Sequence, residues 1–150
     1  MRIFVTEFAD SKREIERHLN DVTEPIIEHL FKIYCFPDNI NRHHWTMEIY
    51  SFLNKVKKLT GSNKLPTAKQ IHNWTYFKWK DLITDEKFMS RWLKGTQKHY
   101  NEIPQELDVA VVCEQFDYIC EQYFKWLAYE LSNYSYVYSD DIEDKINSLI

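Results

Sequence analysis

Apolar residues recur at helical spacing along almost the whole chain, and this pattern constrains the fold more than any other feature. In residues 41–60, for example, they fall on one arc at about 100° per residue, as on a helix that buries one side. Strand signals are weak, because alternation is confined to residues 2–6 and 134–138 and is short in both. We therefore predict an all-α fold: a compact single-domain helical bundle of about six helices, with one long helix in the C-terminal half.

Helix boundaries are predicted from prolines, glycines and small polar residues. The predicted helices span residues 9–20, 23–36, 41–60, 67–83, 84–95, 104–131 and from 139 onward, with 104–131 as the longest. Four small polar residues precede apolar-periodic runs and are predicted as N-caps: Thr23, Thr67, Thr84 and Ser139. Two glycines follow such runs and are predicted to end helices: Gly61 and Gly95.

Length and composition predict one domain over residues 1–150. The chain is 44% hydrophobic and 28% charged, which suits one ordered core, and no repeat or linker divides it. No apolar run approaches the roughly 20 residues that a membrane span needs, and the first residues are too charged for a signal peptide. An odd number of cysteines without paired spacing argues against a disulfide framework. We predict a cytoplasmic protein that does not contact a membrane.

The scarcity of glycine excludes several classes of enzyme site. Phosphate-binding loops, dinucleotide-binding turns and nucleophile elbows all need glycine where the backbone approaches a ligand closely or adopts positive φ. The chain has only two glycines, far apart in sequence. P-loop, Rossmann and α/β-hydrolase sites are therefore excluded, and we predict no cofactor.

Charge is strongly segregated along the chain. Residues 54–99 contain eleven Lys and Arg against three acids, whereas residues 100–150 contain eleven acids against two lysines. The basic and acidic parts either neutralise one another inside the bundle or present a charged face to a partner. Exposed ion pairs contribute only about 0–1 kcal/mol each, so mutual neutralisation would select a topology more than add stability.

The acidic part combines carboxylates with tyrosines and is our leading candidate surface. Tyrosine provides a large contact area at low entropic cost, and flanking acids attract a basic partner. We predict a non-enzymatic binding protein, of inhibitor, immunity or antitoxin type, that engages a basic protein. A second ridge on the long helix would also suit a homodimer. The predicted contact residues are Tyr118, Tyr129, Tyr134, Tyr136, Tyr138, Asp140, Asp141, Glu143 and Asp144.

The basic part offers an alternative function, nucleic-acid binding. Lysines neutralise phosphates while exposed rings stack on unpaired bases, and a phenylalanine within a basic helix face is unusual for a merely solvated helix. The net charge of −4 opposes this hypothesis, since non-specific nucleic-acid binders are usually basic. The predicted contact residues are Lys57, Lys58, Lys64, Lys69, Phe77, Lys78, Lys80 and Arg91.

Two short motifs invite chemical interpretations. Arg13 and His18 are separated by four residues, and this spacing resembles the Arg-x4–6-His motif of HEPN-type ribonucleases, which are also helical bundles. The resemblance covers six residues and implies that His18 acts in acid/base catalysis while Arg13 stabilises the phosphate transition state. His43, His44 and Glu48 are too few for a metal site, so we predict a helix-surface contact between His44 and Glu48 instead.

Overall fold

The computed structural model describes residues 2–60, 66–100, 109–133 and 139–150, and these residues are almost entirely helical. No strand occurs within these four ranges, so the predicted all-α class is confirmed. The six helices are α1 (Arg2–Cys35), α2 (Arg42–Thr60), α3 (Ala68–Thr84), α4 (Glu86–Tyr100), α5 (Val109–Ser132) and α6 (Ser139–Leu149).

The first helix corrects three predictions. Residues 9–20 and 23–36 belong to one continuous helix, α1, which contains Pro25 and also the weak strand candidate at 2–6. Thr23 is not an N-cap, because its hydroxyl donates to the carbonyl of Leu19 at 2.5 Å in the preceding turn. Proline inside a helix costs about 3 kcal/mol or more, and the apolar arc that stays buried on both sides of it offsets this. At 34 residues α1 is also longer than α5, which has 24.

Local capping determines where α3 and α4 begin. Thr67 caps α3 as predicted, in a reciprocal capping box with Gln70. Thr84 does not cap α4, since its hydroxyl donates back to Lys80 O at 2.8 Å. Asp85 takes that role by accepting from two amides of the first turn. Gly95 does not end α4, which continues to Tyr100. Gly61, the other predicted stop, lies outside the described residues.

The packing is organised around α1, α3 and α5. α1 packs against α2 and α3, α3 packs against α5 on another side, and α4 contacts both α3 and α5. α6 contacts α2 and α5. Within the described residues, no helix combines the length and the apolar content that crossing a bilayer requires. The largest fully buried side chains are aromatic: Trp45, Trp79, Tyr123, Phe31, Phe116 and Phe124.

Candidate protein-binding surface

Three exposed apolar side chains are aligned on the outer side of α5. Val111, Tyr118 and Tyr129 are 47%, 59% and 62% exposed. At about 100° per residue they lie within a narrow arc on the side opposite the buried one. We call this arc, with the polar residues inside it, the α5 ridge: Val111, Gln115, Tyr118, Gln122, Lys125 and Tyr129.

The α5 ridge is anchored to the bundle beside its N-terminal end. The hydroxyl of Tyr34, near the end of α1, donates to the side-chain oxygen of Gln115. Partial burial, followed by the nearby Cys35, raises the pKa of Tyr34, so this hydroxyl keeps its proton. Phe116, one residue further, is fully buried and packs against Phe31 with ring centroids 5.3 Å apart. The backbone beneath the ridge is therefore held rigidly by the core.

The acidic end of the chain forms a second exposed surface on α6. Ile142 and Ile146 are buried and hold this helix on the bundle. On the other side, three carboxylates are exposed, and we call them the α6 acidic face: Asp140, Asp141 and Asp144.

Glu143, the fourth acid predicted to contact a partner, instead lies against α2 of its own chain. Glu143 is half-buried, and its carboxylate lies 3.9 Å from Nδ1 of His43 on α2. Arg42, at the start of α2, donates both to the side chain of Asn147 and to the carbonyl of Pro37. Glu143 therefore lies at the α2–α6 contact. The predicted contact residues Tyr134, Tyr136 and Tyr138 fall outside the described residues.

The basic and acidic parts of the chain meet directly between α3 and α5. Lys80 Nζ lies 2.6 Å from Asp117 Oδ1, and about a third of each side chain is exposed. The hydrogen bond that Lys80 donates to Asp117 raises the pKa of Lys80, and the charges of Asp117, Tyr76 and Glu121 act in the same direction. Lys80, a predicted nucleic-acid contact, is thus engaged by a carboxylate of its own chain.

The other predicted nucleic-acid contacts lie in mixed surroundings. Lys69 and Arg91 are exposed, and Arg91 lies over the ring of Phe88, 5.8 Å from its centroid. Phe77 is 74% exposed. It borders an open groove between α1 and α3 that carries charges of both signs, lined by Glu16, Asn20, Asn73, Trp74, Lys78 and Asp81. Lys57 and Lys58 lie in α2 with undescribed side chains, and Lys64 is outside the described residues.

A buried histidine that sequence reasoning missed links α1 to α2. His29 Nε2 bonds to Glu48 Oε2, and His29 Nδ1 lies 2.6 Å from the carbonyl of Pro25. Because that carbonyl only accepts, Nδ1 carries a proton and donates it. The predicted contact between His44 and Glu48 is confirmed, with 2.7 Å between Nε2 and Oε1. The sequence feature that could have indicated this contact is the position of His29 on the apolar arc of α1.

The environment of Glu48 favours its ionised form. Burial acts to raise its pKa, but the hydrogen bond from His29 and the charges of His29, His44 and Lys32 outweigh it and hold the pKa below the ordinary 4.5. Among the described residues, no group of three or more His, Cys, Asp or Glu side chains is arranged to hold a metal ion. This cluster thus joins two helices through hydrogen bonds.

The two residues of the ribonuclease-like motif lie in the same stretch of α1. Arg13 is exposed and His18 is half-buried. Five residues along a helix correspond to a rotation of about 140°, so the two side chains leave α1 in different directions. Their joint action on one phosphate remains a prediction.

Comparison with protein-family models, with curated proteins and with solved structures finds no significant match to this chain.

Proposed function

We propose that this chain is a non-enzymatic binding protein of inhibitor, immunity or antitoxin type that engages a basic protein partner. The contact surface consists of the α5 ridge and the α6 acidic face. One observation supports this above all others: Tyr118 and Tyr129 are 59% and 62% exposed on the outer side of a helix whose inner side is fully buried.

Exposed aromatic residues on one rigid ridge favour protein binding. Single apolar residues at a surface are ordinary, but an aligned set on a core helix presents contact area that is already ordered. Tyr118 and Tyr129 can bury their rings in a partner while their hydroxyl groups keep a hydrogen bond. Because buried side chains such as Phe116 pack α5 against the core, little conformational entropy is lost on binding.

The α6 acidic face supplies charge complementarity. Asp140 and Asp144 are exposed and one helical turn apart, so they present their carboxylates side by side. Such a face accelerates the encounter with a basic partner, and the acceleration weakens with salt. The partner contact therefore combines apolar area on α5 with steering charge on α6.

Affinity capture from the native host, repeated with matched charge reversals, tests this function. Asp140→Lys with Asp144→Lys should abolish capture of the partner, and Tyr118→Ala with Tyr129→Ala should weaken it by about tenfold or more. The control is Glu14→Lys with Asp21→Lys, which reverses two exposed acids on α1. Capture that survives reversal on α6, or that is lost equally in the control, contradicts the proposal.

Nucleic-acid binding is the second candidate, and the exposure of Phe77 favours it. A ring that is 74% exposed provides a stacking surface, and the exposed Lys69 lies about two turns earlier on the same helix. A gel shift with single-stranded RNA and DNA across a salt series tests it, using Phe77→Ala and Lys69→Ala. An unshifted probe at low salt eliminates this function. For the ribonuclease hypothesis, His18→Ala must remove a measured RNA-cleaving activity.

A further inference from the structure

The α5 ridge has the spacing of a helix-pairing seam. Its six members are separated alternately by four and three residues, which is the spacing of the a and d positions in a coiled coil. Five of the six are exposed and Gln122 is half-buried. This is a second seam on α5, since the buried seam of the same helix faces the core. It extends about 27 Å, at a rise of about 1.5 Å per residue.

The spacing of the α5 ridge is symmetric about position 120, since its members lie 9, 5 and 2 residues on either side of it. If two α5 helices cross antiparallel with the axis at position 120, every ridge residue faces another ridge residue. Val111 then faces Tyr129 of the second copy, and Tyr118 faces Gln122 of the second copy. The first pairing places an apolar side chain against an aromatic ring, and the second gives a tyrosine hydroxyl an amide partner. The remaining pairing places Gln115 opposite Lys125 of the second copy.

The charges beside the α5 ridge also match in this arrangement. Glu114 and Lys125 lie on the same edge of the ridge, and antiparallel pairing brings Glu114 next to Lys125 of the second copy. The two-fold axis makes this pair occur twice. Glu121, the acid nearest to the axis, contributes to raising the pKa of Lys80 on α3. Lys80 is already paired with Asp117, so the two copies of Glu121 repel one another at the axis and weaken the dimer.

From this self-complementarity we infer that the α5 ridge binds a second copy of the chain in an antiparallel two-fold dimer. The inference rests on the proposed function: the second copy and the basic partner contact the same α5 ridge and therefore compete for it, while the α6 acidic face lies outside the dimer contact. Isologous contacts of this kind are the commonest form of homo-oligomer. One helix pair buries less than about 1,200 Å² in total, so the dimer is a weak one.

Sedimentation equilibrium over a range of concentrations tests the dimer. The wild-type chain should approach the mass of two chains as concentration rises. Val111→Glu with Tyr129→Glu should remain a monomer, because each end of the seam then places two carboxylates against one another. Phe77→Glu is the control, since Phe77 is an exposed ring outside the ridge. A wild-type chain that stays monomeric at high concentration overturns the inference.

A charge swap tests the antiparallel register. Glu114→Lys alone and Lys125→Glu alone should each weaken the dimer by about tenfold, because like charges then meet across the interface. The two changes together should restore dimerisation to the wild-type level. Failure of the double variant to recover contradicts the register, and unchanged helicity by circular dichroism shows that the single variants are folded.

Disulfide trapping adds a geometric readout. In a Cys113→Ser background, a chain with Val111→Cys mixed with a chain with Tyr129→Cys should form a mixed disulfide, whereas neither should crosslink to itself. The inference fails separately from the proposed function. If the chain is monomeric but charge reversal on α6 still abolishes capture of the partner, only the dimer is overturned. If the chain dimerises but capture is unaffected by that reversal, only the proposed function is overturned.

Discussion

The α1–α2 and α3–α5 contacts are both built on apolar packing but place their charged groups differently. Between α3 and α5, Trp79 stacks on Phe124 with ring centroids 6.1 Å apart and planes 4° apart. The ion pair of that contact, Lys80 with Asp117, lies at its rim. Between α1 and α2, the polar group is inside: His29 is buried under Phe52 and reaches Glu48 at the edge.

This difference decides which contact depends on its polar groups. Water screens an ion pair at the rim and can replace either partner when the other is lost. A buried imidazole has no such replacement, so removing its partner leaves a desolvated group unsatisfied. We therefore expect the α3–α5 contact to tolerate loss of its charges and to depend on its rings, whereas the α1–α2 contact needs its carboxylate.

The largest effect is expected from Trp79→Ala. Trp79 is 1% exposed, and its removal leaves a cavity against Phe124, which should lower the free energy of unfolding by about 3–5 kcal/mol. Chemical denaturation measures this. Phe77→Ala, on the same helix but 74% exposed, should change it by less than about 0.5 kcal/mol. Equal losses in the two variants would mean that the rings do not dominate this contact.

The next effect is expected from Glu48→Ala. It removes the partner of a buried ring nitrogen of His29 and should lower the free energy of unfolding by about 1–3 kcal/mol. Glu28→Ala is the control, because Glu28, whose side chain is 45% exposed, pairs at 3.2 Å with Lys32 one turn later on α1, and loss of such a pair should cost only about 0.3–0.5 kcal/mol. If Glu48→Ala lowers the free energy of unfolding no more than Glu28→Ala does, the proposed difference between the α1–α2 and α3–α5 contacts is wrong.

The same carboxylate gives the contact a pH dependence with a definite sign. The folded state holds the pKa of Glu48 below its ordinary 4.5, so the stabilisation is present at neutral pH and is lost as pH falls below 4.5. The difference in unfolding free energy between wild type and Glu48→Ala should therefore shrink on acidification. A difference that stays constant down to the acid unfolding transition contradicts this linkage.

A smaller effect of the opposite sign is expected from Tyr123→Phe. Burial raises the pKa of Tyr123, and its hydroxyl finds no hydrogen-bond partner among the described residues. Removing this hydroxyl should raise the free energy of unfolding by about 1 kcal/mol. Tyr118→Phe provides the comparison. The side chain of Tyr118 is exposed to water, so removing its hydroxyl should leave the free energy of unfolding unchanged. A destabilised Tyr123→Phe would show that the hydroxyl is satisfied after all.

The smallest effect is expected at the rim of the α3–α5 contact. Lys80→Gln should cost about 0–1 kcal/mol, and the cost should shrink with added salt. Because the hydrogen bond that Lys80 donates to Asp117 raises the pKa of Lys80, the contribution persists at neutral pH and disappears only above the ordinary value of 10.5. Lys69→Gln, an exposed lysine on the same helix, is the control. A loss as large as that of Glu48→Ala would reverse the comparison.

Much of the fold and part of the candidate site could be predicted because the responsible interactions are local. The start of α3 depends on Thr67 and Gln70, three residues apart, and was predicted. The outward position of Tyr118 and Tyr129 follows from their place off the apolar stripe of α5. The continuity of α1 through Pro25 was not predictable, because local rules favour a break there and only burial of the whole arc overrides them.

Long-range pairing accounts for the rest. Nothing local indicates that Lys80 meets Asp117, 37 residues later, or that His29 finds Glu48 on the next helix. Glu143 was assigned to a partner surface, yet packing of α6 on α2 places it beside His43.

Amphipathic periodicity alone established that this chain makes helices, which side of each is apolar, and that α5 carries a second ridge. Those properties depend on residues within one or two turns, so they can be derived without knowing the neighbouring helix. Only the packed structure decided which opposite charges neutralise one another and which remain at the surface. Electrostatic pairing requires side chains to lie within a few ångströms, and that distance is set by how the helices pack, not by their separation along the chain.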